Sequence, residues 1–239
     1  MSQVIKRQFV VQWKDWMWGM GSVGGISLIV FCVIQLIVHF TDMSYQQFVS
    51  IGTTFGCVVA VFYALVIEIQ VGYYFNLEIS MGCTRKHFFL AFYLVNLVFG
   101  LLTLVLLSAI CMAEMGLNRL LHPGVESMFN ILPHFPSIGI GVAAALPMVC
   151  GFAGALNMRF GKKAFWVLWG IWMFAWIGIP QISEAAENAP GSIFGRIGNG
   201  VSALLKMVPG NIWIVLAVTS SLACFAGSFL ILRKQAVTA

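Results

Sequence analysis

Six long apolar segments constrain this 239-residue chain more than any other feature of its sequence. They are separated by short polar connections, and they lie at residues 19–40, 48–74, 88–115, 135–156, 164–180 and 211–232. About 20 consecutive apolar residues cross the hydrocarbon core of a bilayer as an α-helix. The segments are continuously apolar and lack the alternation of a membrane β-barrel, so we predict six transmembrane helices.

The amino-acid composition indicates that lipid is the solvent. The chain is 60% hydrophobic and 9% charged, whereas a soluble domain carries about 25% charged residues. A soluble domain of this length cannot bury so much apolar surface, because its surface-to-volume ratio is too high. We therefore expect an all-α, multi-pass membrane protein in which residues 1–239 form a single transmembrane domain.

The distribution of basic residues predicts the orientation. The connections on one side hold ten of the 13 lysines and arginines: Lys6, Arg7, Lys14, Arg85, Lys86, Arg159, Lys162, Lys163, Arg233 and Lys234. The other side holds Arg119, Arg196 and Lys206. Because cytoplasmic loops are enriched in Lys and Arg, we expect both termini in the cytoplasm and the chain in a cell membrane, as in bacteria. Topology explains the net charge of +5, so no nucleic-acid partner is expected.

Two connecting segments have amphipathic patterns. Residues 1–18 carry an apolar stripe at helical spacing: Ile5, Phe9, Trp13 and Trp16. This stripe predicts a helix lying in the cytoplasmic interface of the membrane lipid, with a flexible basic tail as the alternative. Residues 181–210 carry a second stripe, made of Ile193, Ile197, Val201 and Leu204. It predicts a helix at the outer interface or a re-entrant hairpin before the last span.

Small and polar residues mark the second span. Gly52, Gly56, Ala60 and Ala64 recur at steps of four, and such a row lets helices approach closely. Glu68 continues this ridge and is the only carboxylate well inside an apolar segment. A lone intramembrane charge is usually paired, so we favour a structural role for Glu68 over contact with a substrate.

The sequence lacks the patterns of the common catalytic and metal sites. It contains no HExxH, GxSxG, CxxC or P-loop motif, and no two histidines fall within one span. We therefore expect no metal site and no enzymatic activity in this chain. Any ATP used would be bound by another subunit.

The connection after the second span holds the most informative motif. Residues 80–89 read Ser-Met-Gly-Cys-Thr-Arg-Lys-His-Phe-Phe. Gly82 predicts a turn, and Thr84 is placed to cap the next helix. The run is similar to the stretch Ser, apolar, Gly, x, Thr/Ser, Arg, Lys, x, Phe, Phe in permease subunits of the ABC-2 exporter family. Glu78 and Ile79 stand where that family has a small residue before the serine.

The resemblance implies a layout and a mechanism. Such permeases have an interfacial N-terminal helix, six spans, a cytoplasmic coupling segment between the second and third spans (here residues 75–87), and short re-entrant helices before the sixth span. A separate ABC ATPase, carrying ATP and Mg²⁺, would dock on this segment, and a second permease subunit would complete the transporter. The implied docking residues are Leu77, Glu78, Ser80, Met81, Gly82, Thr84, Arg85 and Lys86.

The substrate expected from the resemblance and from the scarcity of buried charge is amphipathic or apolar: a peptide, a lipid or a drug moved outward. Two other interpretations remain open at this stage. One is a membrane anchor or assembly subunit with no transport activity. The other is an ion-coupled secondary transporter that uses Glu68.

Overall fold

The computed structural model describes residues 2–41, 47–48, 51–123, 126–127 and 135–235. Within those ranges the chain forms eight α-helices. They are α1 (Ser2–Thr41), α2 (Ile51–Ser80), α3 (Arg85–Leu121), α4 (Phe135–Phe160), α5 (Lys162–Met173), α6 (Ile179–Asn188), α7 (Ile193–Met207) and α8 (Gly210–Lys234). A π-helical turn, Phe174–Gly178, joins α5 to α6. Two short strands, β1 (Gln47–Phe48) and β2 (Glu126–Ser127), pair in parallel.

Four helical stretches of the described residues are long and apolar enough to cross a membrane: Ser2–Ile37, Arg85–Leu121, Gly139–Phe160 and Ile212–Lys234. A helix satisfies its backbone hydrogen bonds within one segment, which is why it can cross lipid. The predicted class, a helical multi-pass membrane protein, is confirmed.

Helix α4 lies at the centre of the bundle, where it packs against α2, α3 and α8. An aromatic cluster fills one end of this group. The ring of Phe89 on α3 lies 4.7 Å from that of Phe225 and 5.1 Å from that of Phe229, both on α8. The hydroxyls of Tyr93 and Ser228 are 2.8 Å apart. Helices α3 and α8 are therefore joined by both ring packing and a buried hydrogen bond.

The backbones of α2 and α4 approach very closely at Gly154. A Cβ atom at this position would lie 2.5 Å from the carbonyl oxygen of Glu68 and 2.9 Å from Cβ of Val71. Only glycine fits such a contact without moving a helix. The row of small residues predicted on α2 lies before this contact in the chain. The side chains of Gly52, Gly56 and Ala60 lie outside the described residues, and Ala64 is half-buried.

Helix α1 is continuous over 40 residues. At 1.5 Å per residue it is about 60 Å long, roughly twice the thickness of the hydrocarbon core. The predicted interfacial helix at residues 1–18 is therefore not a separate element, and it runs into the first span without a break. The sequence explains this continuity, because residues 1–41 contain no proline.

The segment between α5 and α8 is a helical hairpin. Ser192 caps α7, and its hydroxyl accepts a hydrogen bond from the amide of Gly195 at 3.0 Å. A Cβ on Gly195 would lie 2.2 Å from the carbonyl oxygen of Ala189, so α7 folds tightly against the end of α6. The stripe predicted within residues 181–210 falls on α7, and its residues are exposed: Ile193, Ile197, Val201 and Leu204.

Substitution of Gly154 tests the α2–α4 contact. We expect Gly154→Ala to lower the free energy of unfolding by about 1–3 kcal/mol, because the added methyl group meets backbone atoms that cannot rotate away. Gly141→Ala is the matched control on the same helix, since no atom lies within 4 Å of a Cβ there. Thermal unfolding of the detergent-solubilised protein measures both. Equal melting temperatures for the two variants would show that the helices do not touch at Gly154.

Candidate functional site

The turn between α2 and α3 has a well-defined geometry. Gly82 adopts a φ of +82°, the left-handed conformation that favours glycine. Its amide donates to the carbonyl of Ile79 at 3.0 Å, and the amide of Cys83 donates to that of Glu78 at 3.0 Å. These bonds close the last turn of α2, so the turn predicted at Gly82 is confirmed.

Thr84 starts the next helix. Its backbone is extended, and its hydroxyl accepts a hydrogen bond from the amide of His87 at 3.4 Å. The predicted N-cap of α3 is therefore present. The connection between the helices is only residues 81–84, so most of the coupling segment expected at residues 75–87 is helical. Phe75 and Ile79 belong to the packed core, and this packing keeps α2 helical as far as Ser80.

An ion pair between the buried Glu78 carboxylate and the partly exposed Arg7 ties this turn to α1. Glu78 is 2% exposed. Its carboxylate accepts hydrogen bonds from Nε of Arg7, at 3.0 Å, and from Nη2 of the same guanidinium. A bidentate pair of this kind fixes the relative orientation of the two side chains and also balances the charge of the buried carboxylate. Glu78 was among the residues expected to dock an ATPase, but its side chain is turned inward and is covered.

Cys83 lies beside the ion pair. Burial, followed by the neighbouring Glu78 carboxylate, raises the pKa of the Cys83 thiol, although Arg7 acts in the opposite direction. A thiol with a raised pKa carries little thiolate at neutral pH and is a weak nucleophile. Cys83 therefore contributes packing to the turn rather than reactivity.

Two more polar contacts fasten α1 further along its length. The hydroxyl of Tyr74 on α2 donates to the Asp15 carboxylate at 3.3 Å. The indole N–H of Trp16 donates to the hydroxyl of Thr103 on α3 at 2.9 Å. The N-terminal half of α1 thus has side-chain bonds to both neighbouring helices.

The aromatic stripe of α1 packs on protein. The rings of Phe9, Trp13 and Trp16 lie 5.1, 6.3 and 5.9 Å from the ring of Phe99 on α3. Ile5, the fourth member, is half-buried. The predicted helix is present, but three residues of the stripe face α3 where lipid headgroups were expected. A stripe identifies the apolar face of a helix, and protein or lipid can cover that face equally well.

The remaining residues of the predicted docking segment form an exposed tip. Met81 is 48% exposed and Leu77 is 37% exposed. The other exposed members are Ser80, Gly82, Thr84 and Lys86. Arg85 is half-buried, and its Nη1 donates to the carbonyl of Arg233 at the end of α8, at 2.5 Å.

Several basic connections meet at this end of the bundle. Arg85 reaches Arg233, and the side-chain amide of Gln235 donates to the carbonyl of Met158 on α4 at 3.2 Å. The α2–α3 turn, the end of α4 and the end of α8 are therefore neighbours. These are connections that the distribution of Lys and Arg assigned to one side of the membrane.

Glu68 has a partner on the central helix. Its carboxylate accepts a hydrogen bond from the side-chain amide of Asn157 on α4, one turn from the close contact at Gly154. The contact with Asn157 gives Glu68 a structural role, which explains why a carboxylate lies inside an apolar segment. Among the described residues, no three His, Cys, Asp or Glu side chains cluster as a metal ion would require.

Three residues at this site are not predictable from the sequence pattern: Arg7, Asp15 and Tyr74. Arg7 resembles the other basic residues of the cytoplasmic connections, and no motif marks Asp15 or Tyr74. The available signal was Glu78 itself, because an acid in place of a small residue in a helical segment needs a nearby cation. Its partner lies 71 positions away, so only the packing of α1 on α2 identifies it.

Fold and site together define a helical multi-pass membrane protein with an exposed turn, which the Arg7–Glu78 ion pair joins to α1. No protein-family model, curated protein or solved structure matches the chain. Its function is therefore inferred from its residues and their geometry.

Removing Arg7 tests the ion pair. We expect Arg7→Ala to destabilise the protein by about 1–3 kcal/mol, because the buried Glu78 carboxylate loses its charged partner. The neighbouring Lys6→Ala is the matched control, since Lys6 is exposed and is expected to change stability by less than about 0.5 kcal/mol.

The double variant Arg7→Ala/Glu78→Gln separates charge from packing. The neutral amide tolerates burial better than a carboxylate, so part of the lost stability is expected to return. Chemical or thermal unfolding in detergent provides the measurement. If the single and double variants are equally unstable, the buried charge is not the cause.

Proposed function

We propose that this chain is the transmembrane permease subunit of an ATP-driven exporter that works with a separate ABC ATPase. The observation that carries the proposal is the α2–α3 turn. It combines the ABC-2-like run at residues 80–89 with an exposed tip, and that tip is rigidly connected to the rest of the bundle. A docking element needs both properties, because it must be reachable and must transmit force.

The contacts of the turn provide the route for transmission. A displacement of the tip moves α2 and α3 directly, since α2 ends and α3 begins there. It moves α1 through the Arg7–Glu78 pair and α8 through Arg85 and the carbonyl of Arg233. ATP-driven closure of two ATPases would thus bias the packing of the permease between two arrangements. The chain itself would catalyse no bond chemistry, and ATP and Mg²⁺ would be held by the ATPase.

The proposed topology has six spans with both termini in the cytoplasm of a bacterial cell. The spans are the C-terminal half of α1, then α2, α3, α4, the run from α5 into α6, and α8. The α6–α7 hairpin then lies on the outer side, with its exposed apolar stripe in the outer interface. A second permease subunit, identical or related, would complete the export path for an amphipathic or apolar peptide, lipid or drug.

The geometry gives less support to the competing functions. An ion-coupled transporter would use Glu68 as its ion site, but the hydrogen bond from Asn157 already explains Glu68 as a contact between helices. A simple membrane anchor has no need for a force-bearing link between its exposed turn and α1. Transport by a secondary mechanism predicts loss of function in Glu68→Gln and activity without ATP.

Co-purification with an ATPase tests the proposal. The chain would be co-expressed with a candidate ABC ATPase from the same organism and purified through a tag on the permease. We expect the wild-type chain to retain the ATPase, and Met81→Glu/Lys86→Glu to lose most of it, because both changes place negative charge on the exposed tip.

The matched control is Lys162→Glu/Lys163→Glu. These residues are also exposed and basic, and they follow α4, whose end lies near the tip. If both double variants lose the ATPase equally, general electrostatics explain the binding. If the wild-type chain retains no ATPase, the permease proposal fails.

Cysteine labelling tests the topology. In a background without the six native cysteines, we expect Gly191→Cys in the α6–α7 turn to react with a membrane-impermeant maleimide in intact cells. We expect Lys162→Cys in the α4–α5 turn to react only after the membrane is permeabilised. Labelling of both positions in intact cells would contradict the six-span arrangement.

A further inference from the structure

A long groove runs between α1 and α2, with α3 as its floor. Its volume is about 360 Å³, within the range of small-molecule sites. It follows residues 12–26 of α1 and 58–70 of α2, which is about 20 Å of helix. The two helices are antiparallel here, because Arg7 pairs with Glu78 and Asp15 meets Tyr74.

The groove has one polar end. Gln12 is 2% exposed, and its side-chain nitrogen has no hydrogen-bond partner within the described ranges. Asp15 and Gln70 line the same end. Gln8, one turn away on α1, also has buried side-chain polar atoms without partners in the described part of the chain. Buried polar groups without partners are costly, so this end of the groove can take a polar group from outside the chain.

The other end of the groove is apolar. It is lined by Val23, Ile26, Val58, Val59 and Phe62. The α2 rim is open to the surroundings, since Phe62 is 63% exposed and Val58 is 43% exposed. In a membrane, those exposed side chains meet lipid. A membrane lipid can therefore enter the groove from the side without crossing any polar barrier.

We propose that the groove binds one acyl chain of an aminophospholipid, whose head lies at Gln12 and Asp15. The chain fills the apolar length, and a phosphate or ester oxygen accepts from the Gln12 amide. The lipid ammonium pairs with the Asp15 carboxylate. The Asp15 carboxylate favours this headgroup over an anionic one such as that of phosphatidylglycerol. A headgroup without an ammonium places only its negative phosphate near the carboxylate, and the two repel each other.

This site does not depend on the chain being a permease. The groove, its polar end and its opening to lipid are the same whatever the function of the protein. If an ATPase partner is never found, lipid binding is still expected. If lipid binding fails, the docking role proposed for the α2–α3 turn is untouched.

The test is lipid retention by the purified, full-length chain. Delipidated protein in detergent would be mixed with phosphatidylethanolamine or phosphatidylglycerol, and bound lipid would be counted by native mass spectrometry. We expect about one tightly held phosphatidylethanolamine per chain, bound about tenfold more strongly than phosphatidylglycerol. Equal retention of the two lipids by the wild type overturns the proposal.

Three variants locate the lipid. Val59→Trp is expected to abolish retention by filling the groove, whereas Val105→Trp adds the same bulk at an exposed position of α3 and should retain lipid as the wild type does. Asp15→Asn keeps an oxygen for the Tyr74 hydroxyl and should remove the preference for the amino head. Unchanged retention in Val59→Trp, or an unchanged preference in Asp15→Asn, overturns the assignment.

A folding control keeps the result interpretable. Each variant would be compared with the wild type in melting temperature before lipid is counted, and Val59→Leu, a smaller addition, replaces Val59→Trp if the latter does not fold. Val59→Cys in a chain whose six native cysteines are replaced tests for another occupant. If that cysteine cross-links to a second copy of the chain, the groove is a subunit interface and the lipid proposal is wrong.

Discussion

The contact of α4 with α2 supports the rest of the structure. Lipid provides no hydrophobic drive for one apolar helix to join another, so spans associate through close packing and polar contacts. Gly154 lets the two backbones touch, and the Asn157–Glu68 hydrogen bond locks the register one turn away. On the adjoining face of α4, a Cβ on Gly151 would lie 2.5 Å from the hydroxyl of Tyr93. Helix α4 is thus packed closely against both α2 and α3, and its contact with α2 at Gly154 leaves no room for an added methyl group.

Helix α1 is attached to this group in a different way. Its contacts are side chains at the surface of α2 and α3: an ion pair at Glu78, a hydroxyl on Asp15, and rings stacked on Phe99. Between them the groove separates α1 from α2. Side-chain contacts of this kind can re-form in a second arrangement more easily than interlocked backbones. The two proposals, force transmission at the turn and lipid binding in the groove, therefore both concern the side-chain contacts between α1 and the helices beneath it.

The sequence predicted the local features well because local physics determines them. Gly82 and Thr84 define a turn and a cap through their own backbone and hydroxyl, so each could be assigned from its neighbours alone. The aromatic stripe of α1 predicted a helix for the same reason. The surface that covers the stripe could not be predicted, because Phe99 lies in another helix. Arg7 and Gln12 were missed likewise, since their importance depends on how α1 is positioned along α2. Glu78 gave a partial signal by departing from the family pattern.

The unbroken length of α1 has a mechanical consequence. Near one end it is pinned to Glu78, and toward the other Gln35 donates to Asn118 at 3.0 Å and lies 2.8 Å from a ring nitrogen of His122. A rod about 60 Å long that tilts by about 5° around its middle moves each end by roughly 2.6 Å in opposite directions. That is close to the length of a hydrogen bond. A tilt of that size near the exposed turn would therefore strain the bonds that Gln35 makes with Asn118 and His122 at the other end of the helix, with no change of fold in between.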